Sequence, residues 1–374
     1  MIFDRYILKS LSIATIFIAL TLAAVILLTQ SLRFLELVIE SGASSSAFWI
    51  LTLLALPRFF EIILPIALMA ATVFLYNKLT MDSELVVMRA NGVPPMALAR
   101  PALIMALITT IILWVMTMWV GPASLASMQQ MRQVIKAQYS TLLFREGIFN
   151  AIVPGLTVFI REKEGGELKG MVIHDSRDPK VAPSTVIAKR GLITSTDEGQ
   201  QVMVYDGSRQ SVNADTNILE RLDFERYSID LPDGTGTVRQ RWAEPDERTI
   251  WQLLNPDKTD QRDVASQEDF FIEIHRRIAS PLLAPAFVVI VLNFLLLGPV
   301  DRRGQFARIA MAIITTVSMQ GLYLVTFNIA LKNAWGLVPM YALVLVPLIL
   351  GLFMLSEAGE DFRRRMLYSD RRPA

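Results

Sequence analysis

The chain has 374 residues, 53% of them hydrophobic and 19% charged, with a mean hydropathy of +0.42. This excludes an ordinary soluble globular protein and indicates a membrane protein. A net charge of +1 offers no general attraction to nucleic acid or acidic partners, and the absence of cysteine removes disulfides and thiolate metal sites.

A bilayer core about 30 Å thick needs about 20 apolar residues in a helix. Six stretches qualify, near 10–30, 48–76, 101–121, 279–298, 306–331 and 337–356. The first could instead be a signal peptide cleaved near ASSSA (43–47). Its apolar run is too long for that, and the flank MIFDRYILK carries an acid among two bases, so it reads as a retained span. The second contains Pro57, Arg58, Glu61 and Pro65 and reads as one kinked or tilted span. Arg58 and Glu61 are three residues apart and share a helix face. They form either a self-neutralising structural pair or part of a proton or ion relay, because charges at membrane depth are costly.

Lys and Arg beside the spans set the orientation. One side holds Arg5, Lys9, Lys78, Arg89, Arg100, Arg302, Arg303, Arg308, Arg363, Arg364, Arg365, Arg371 and Arg372, while the short connections opposite hold only Arg33 and Lys332. The positive-inside rule therefore places both termini in the cytoplasm and the stretch from 122 to 278 outside.

Between spans two and three, NKLTMDSELVVMRANGV (77–93) predicts a short cytoplasmic helix near 80–91. Thr80 or Asp82 is placed to cap it, Glu84 lies in its first turn, and Asn91-Gly92 followed by Pro94-Pro95 ends it. About ten exposed residues do not hold a helix alone in water. Its apolar side, Leu85 and Met88 with Val86 or Val87, therefore packs either on the chain's own spans or into a partner protein.

From about 141 to 246 the long apolar runs give way to short alternating segments, the signature of antiparallel strands in a jelly-roll-like sandwich. GLTVFIR (155–161) alternates Leu156, Val158 and Ile160 with Thr157 and Phe159. QQVMVYDG predicts a turn at Asp206-Gly207. In LERLDFERYSIDL, Leu222 and Phe224 share one phase while Tyr227, Ile229 and Leu231 share the other, and a bulge near Glu225-Arg226 would reconcile them. EKEGGELKG and LPDGTG read as turns, with helices flanking the domain at 122–140 and 247–277. Met203 and Tyr205 opposite Val202 and Val204 fit either a sandwich core with scattered surface hydrophobes or an open apolar groove. The layout is three spans in 1–121, an external region in 122–278, and three spans with a basic tail in 279–374.

No catalytic site is expected. The chain has neither a P-loop motif nor a Gly-Lys dipeptide, no H-E-x-x-H, and no G-x-S-x-G or S-x-x-K signature. His174 reads as a strand or turn residue and His275 as interfacial, with no metal site expected.

The segment SELVVMRANG (83–92), the opening DRY (4–6), the six spans and the external β domain together resemble the LptF/LptG family. These are the permease subunits of the bacterial lipopolysaccharide-export ABC transporter. The resemblance covers the whole chain, and its N-terminal pattern and LERLDFERYSIDL lie closer to the LptF branch. It implies an inner-membrane permease paired with LptG, two copies of the ATPase LptB that bind ATP and magnesium in place of this chain, and the lipid-accepting partners LptC and LptA. The β domain would pass lipid onward, and spans one and five would form lateral gates. The resemblance makes 80–91 the coupling helix, with Ser83, Glu84, Leu85, Met88 and Arg89 facing the ATPase, against a reading of Glu84 as only a helix-start charge. It assigns Arg33 to lipid phosphates, against a plain interfacial anchor, while Gln30 departs from a position that is often basic. Alternatives are a permease for another amphiphilic lipid and a non-transporting membrane scaffold that senses envelope ligands.

Overall fold

The structure is a computed structural model that describes residues 2–41, 44–142, 146–153, 155–164, 167–177, 182–196, 199–212, 218–230, 242–297 and 305–369. The turn expected at LPDGTG, and Arg302, Arg303, Arg371 and Arg372, lie outside these residues. The chain divides into two compact units, one of residues 1–30, 52–127 and 243–374 and one of residues 31–51 and 128–242.

Twelve α-helices are described. They are α1 (Ile2–Ser41), α2 (Ser45–Met81), α3 (Glu84–Ala90), α4 (Pro95–Val115), α5 (Gly121–Leu142), α6 (Ile250–Leu254), α7 (Gln261–Ala265), α8 (Gln267–Ala279), α9 (Leu283–Leu296), α10 (Phe306–Ala330), α11 (Leu337–Leu355) and α12 (Glu357–Ser369). A π-helical stretch, Met116–Val120, joins α4 to α5, and a 3-10 turn, Ser280–Leu282, joins α8 to α9. Among the described residues, six helical segments are long and apolar enough to cross a membrane: Phe3–Ile39, Ser45–Met81, Pro95–Ile135, Gln267–Leu296, Phe306–Ala330 and Ala334–Leu355. α2 runs unbroken past Pro57 and Pro65, so this stretch is one span. α1 has 40 residues and so extends about 60 Å, roughly twice a bilayer core.

The helices pack around α9, which buries residues on every side, including Ala284, Phe287, Val288, Val291 and Leu292. A helix apolar all round belongs at the centre of a bundle. α10 and α11 instead expose large side chains such as Ile314, Val317, Leu324 and Ile349, which need lipid or a partner helix to cover them.

In the second unit, six strands form one antiparallel sheet in sequential order: β1 (Phe149–Val153), β2 (Leu156–Glu164), β3 (Glu167–Asp175), β4 (Ser184–Thr196), β5 (Gly199–Val212) and β6 (Leu219–Asp230). Leu156, Val158 and Ile160 are buried as their alternation predicts. The expected turn at Asp206-Gly207 is not there, since both residues lie inside β5. The expected bulge at Glu225-Arg226 is also absent, because β5 and β6 keep one register from Gln201↔Asp230 to Val212↔Leu219.

The phase change behind that expectation is nevertheless real, and it belongs to the whole sheet. Arg161, Gly170, Lys189, Asp206 and Glu225 occupy one line across β2 to β6, and each drops out of an otherwise continuous ladder. Gly170 and Asp206 have positive φ there, 65° and 52°. On one side of the line Ile160, Met171, Ala188, Gly207 and Phe224 form a cross-strand row, and the matching row on the other side is Leu168, Gly191, Val204 and Tyr227. Those rows are three residues apart along β3 to β6, where a flat strand repeats every two. A crease therefore folds the sheet, and side chains from both halves join one apolar core.

Candidate functional site

α3 follows α2 after a break at Asp82-Ser83. Neither expected cap acts as one. Buried Thr80 donates its hydroxyl back to the Tyr76 carbonyl at 2.8 Å, and the capping position belongs to Ser83, whose φ is 61° and whose side chain makes no cap bond. The C-terminus is as predicted. The Gly92 amide donates to the Arg89 carbonyl (3.1 Å) and the Val93 amide to that of Met88 (3.2 Å), and Gly92 takes φ 79°. This paired closure needs a residue that tolerates a left-handed backbone.

Leu85 is 1% exposed and joins the bundle core, with Met88 and Val93 packed against it. The helix thus sits on the chain's own spans, and the Leu-Met side faces inward. Met81, Ser83 and Val87 are exposed, while Glu84 and Arg89 are half-buried. Burial, then the guanidiniums of Arg308 and Arg363, hold Arg89 below its ordinary pKa.

The Arg58–Glu61 pair forms, with Arg58 Nη1 donating to Glu61 Oε2 at 2.9 Å, and it does not stand alone. It lines a cavity of about 740 Å³ with Glu273 and Arg276 of α8, Tyr323 and Phe327 of α10, and Glu244 to Asp246. Arg276 holds both Glu273 oxygens, at 2.7 and 2.6 Å. Arg277, with no exposed surface, donates to Glu273 (2.8 Å) and to the carbonyls of Arg248, Pro245 and Asp246 at 2.5, 3.1 and 3.2 Å. Arg248 in turn binds Asp263 twice, at 2.7 and 2.5 Å. Buried charges in this number persist only where each is paired or hydrogen-bonded. Glu61 Oε1 is the exception, buried with no partner among the described residues.

The cavity lining mixes these charged groups with apolar Ile62, Pro65, Leu283, Leu324 and Leu331. Such a lining suits an amphiphile. Sequence reasoning paired Arg58 with Glu61 and missed Glu273, Arg276 and Arg277. The available signal was EIHRRI, three charges opening a span. Glu244, Asp246 and Glu247 place carboxylate oxygens within 4.8 Å of one another, an acidic group that by itself does not define a metal site. His174 lies in β3 and meets the Thr185 hydroxyl at 3.0 Å. His275 meets the Tyr341 hydroxyl at 3.0 Å.

Arg33 is exposed on α1, within a helix that runs on past it. One residue later, buried Phe34 carries the Arg132 guanidinium 5.4 Å above its ring, a second basic side chain brought to this stretch of α1 only by the fold.

Comparison with known proteins bears on this arrangement. Residues 5–357 match the family described as lipopolysaccharide export system permease LptF/LptG. An uncharacterised protein of Rickettsia prowazekii is 27% identical over 359 residues, covering 95% of this chain and 98% of that one. The lipopolysaccharide export system permease protein LptF of Escherichia coli K12 is 27% identical over 256 residues, covering 67% of this chain and 70% of that one.

Proposed function

The chain belongs to the LptF/LptG family of lipopolysaccharide export system permeases, and from that membership we propose that it draws lipopolysaccharide out of the inner membrane on energy supplied by a partner ATPase. It is a multi-pass inner-membrane protein. In this reading both termini and α3 lie in the cytoplasm and the creased sheet lies in the periplasm, as the distribution of Lys and Arg supports. The permease pairs with an LptG-like homologue. Two LptB-like subunits bind ATP and magnesium, and LptC- and LptA-like domains receive the lipid.

The energetics suit this division of labour. Extracting one 14-carbon acyl chain costs roughly 10 kcal/mol, so a multi-acyl lipid needs work from below and an apolar shelter above. The cavity beside Arg58 and Arg276 offers a mixed polar and apolar lining near one end of the spans. Exposed Arg33 is available for lipid phosphates.

The observation that carries the reading is the seating of α3. Leu85 and Met88 fix the helix to the span bundle, leaving Glu84 at its start with Met81 and Val87 outermost. A partner that closes on nucleotide and grips that outer edge moves the spans with it. The test is Glu84→Arg in the assembled transporter. It is expected to abolish co-purification of the ATPase or its lipid-driven hydrolysis, and normal values of both would overturn the assignment.

A further inference from the structure

α10 opens with an unfilled end. Gln305 occupies its capping position without making a cap bond. This side chain belongs to a residue only 5% exposed, yet neither its amide oxygen nor its nitrogen has a partner among the described residues. Nη1 of Arg308, within the first turn of the helix, is likewise buried and unpartnered among the described residues. Buried polar atoms are ordinarily satisfied, and when the protein supplies no partner a bound molecule does.

Two further guanidiniums, from distant parts of the chain, act in this region. Arg89, on the last turn of α3, lies close enough to Arg308 and Arg363 for both to act on it electrostatically. Arg363, on α12, is steered by the bond from its Nε to the Gly359 carbonyl, at 3.2 Å. Arg89 thus lies within electrostatic reach both of Arg363 and of Arg308 at the amino end of a 25-residue helix, whose free amides and dipole favour negative charge.

We propose that Arg89, Arg308, Arg363 and Gln305 form a binding site for a phosphate group at the α3 end of the spans. Guanidiniums meet phosphate through paired hydrogen bonds, and the amides at the start of α10 add further donors. Gln305 offers an acceptor beside its donor, so a phosphate carrying a neighbouring hydroxyl, as in a phosphatidylglycerol headgroup, satisfies the site more fully than free phosphate does. A phosphate held there ties α3 to α10 and α12. This role concerns the seating of the lever and is independent of which lipid is exported.

The test uses the assembled full-length transporter in nanodiscs of phosphatidylcholine alone, of phosphatidylcholine with phosphatidylglycerol, and of phosphatidylcholine with added inorganic phosphate. Retained lipid is read by native mass spectrometry, and the thermal midpoint is read in parallel. Wild type is expected to retain phosphatidylglycerol and to melt higher with it, while Arg308→Gln with Arg363→Gln lowers retention at least about tenfold. Gln305→Glu, close in shape but negatively charged, is expected to lose the ligand, and Arg308→Lys to keep part of it, which separates binding from misfolding. Stabilisation by inorganic phosphate with nothing added by the lipid supports the site and assigns it to the free anion. Equal retention in wild type and variants, or no response to either phosphate source, overturns it.

Discussion

Gly121 stands against the carboxylate of Glu61: a Cβ at position 121 would lie 2.3 Å from Glu61 Oε1 and 2.9 Å from the Met116 carbonyl oxygen. The π-helical stretch Met116–Val120 ends at this residue, and such stretches gather at functional positions in helices. Glu61 thus turns one oxygen, without a partner among the described residues, toward Gly121 and the other toward Arg58.

Gly121→Ala is therefore expected to displace the carboxylate and to destabilise the bundle by about 1–3 kcal/mol, the usual cost of overpacking. Pairing it with Glu61→Ala removes the clash with the carboxylate, so the double variant is expected to be more stable than the sum of the singles predicts. Thermal midpoints of the four proteins form the cycle that checks this. Simple additivity would show that the two residues do not press on one another.

Leu85→Ala empties the seat of α3. The expected cost is about 2–5 kcal/mol, concentrated in a seven-residue helix too short to persist unsupported. Limited proteolysis is expected to cut between 82 and 92 in this variant while the spans stay intact. Val87→Ala, on the exposed side, is expected to leave proteolysis unchanged.

Acid is expected to loosen the β3–β4 end of the sheet. Asp175 accepts three hydrogen bonds from Arg177: from its backbone amide at 3.1 Å, from Nε at 2.9 Å and from Nη2 at 2.6 Å. The side-chain bonds hold its carboxyl below the ordinary range. A carboxyl depressed in the folded state adds stability above its unfolded pKa of about 3.9, and that contribution fades as pH falls through the folded value. Solvent labelling of β3 and β4 in the full-length protein, followed from neutral pH down past 4, is expected to rise at the acid end in wild type. In Asp175→Asn it is expected to be higher already at neutral pH and flatter with acid.

The spans, α3 and its Gly92 closure were legible because each depends on residues close together in sequence, namely apolar length, charge at the flanks and an Asn-Gly stop. Glu273 and Arg276 were not read as neighbours of Glu61, since more than two hundred residues separate them and only packing of α2 against α8 reveals the shared cavity. Thr80 misled because a hydroxyl near a helix start also bonds well to the preceding turn. Asp206-Gly207 has the composition of a hairpin, yet its backbone freedom is used to bend a strand instead. In LERLDFERYSIDL the switch of phase was visible, whereas its cause lay in four other strands.

The sheet's interrupted line has a mechanical meaning. Because the ladders on either side keep the same register, the two halves resemble facing pages, and turning about the spine between them strains five backbone positions while sparing the bonds within each page. The angle between the halves that enclose the apolar interior of this unit is thus set at those five positions and not by any change of strand partner.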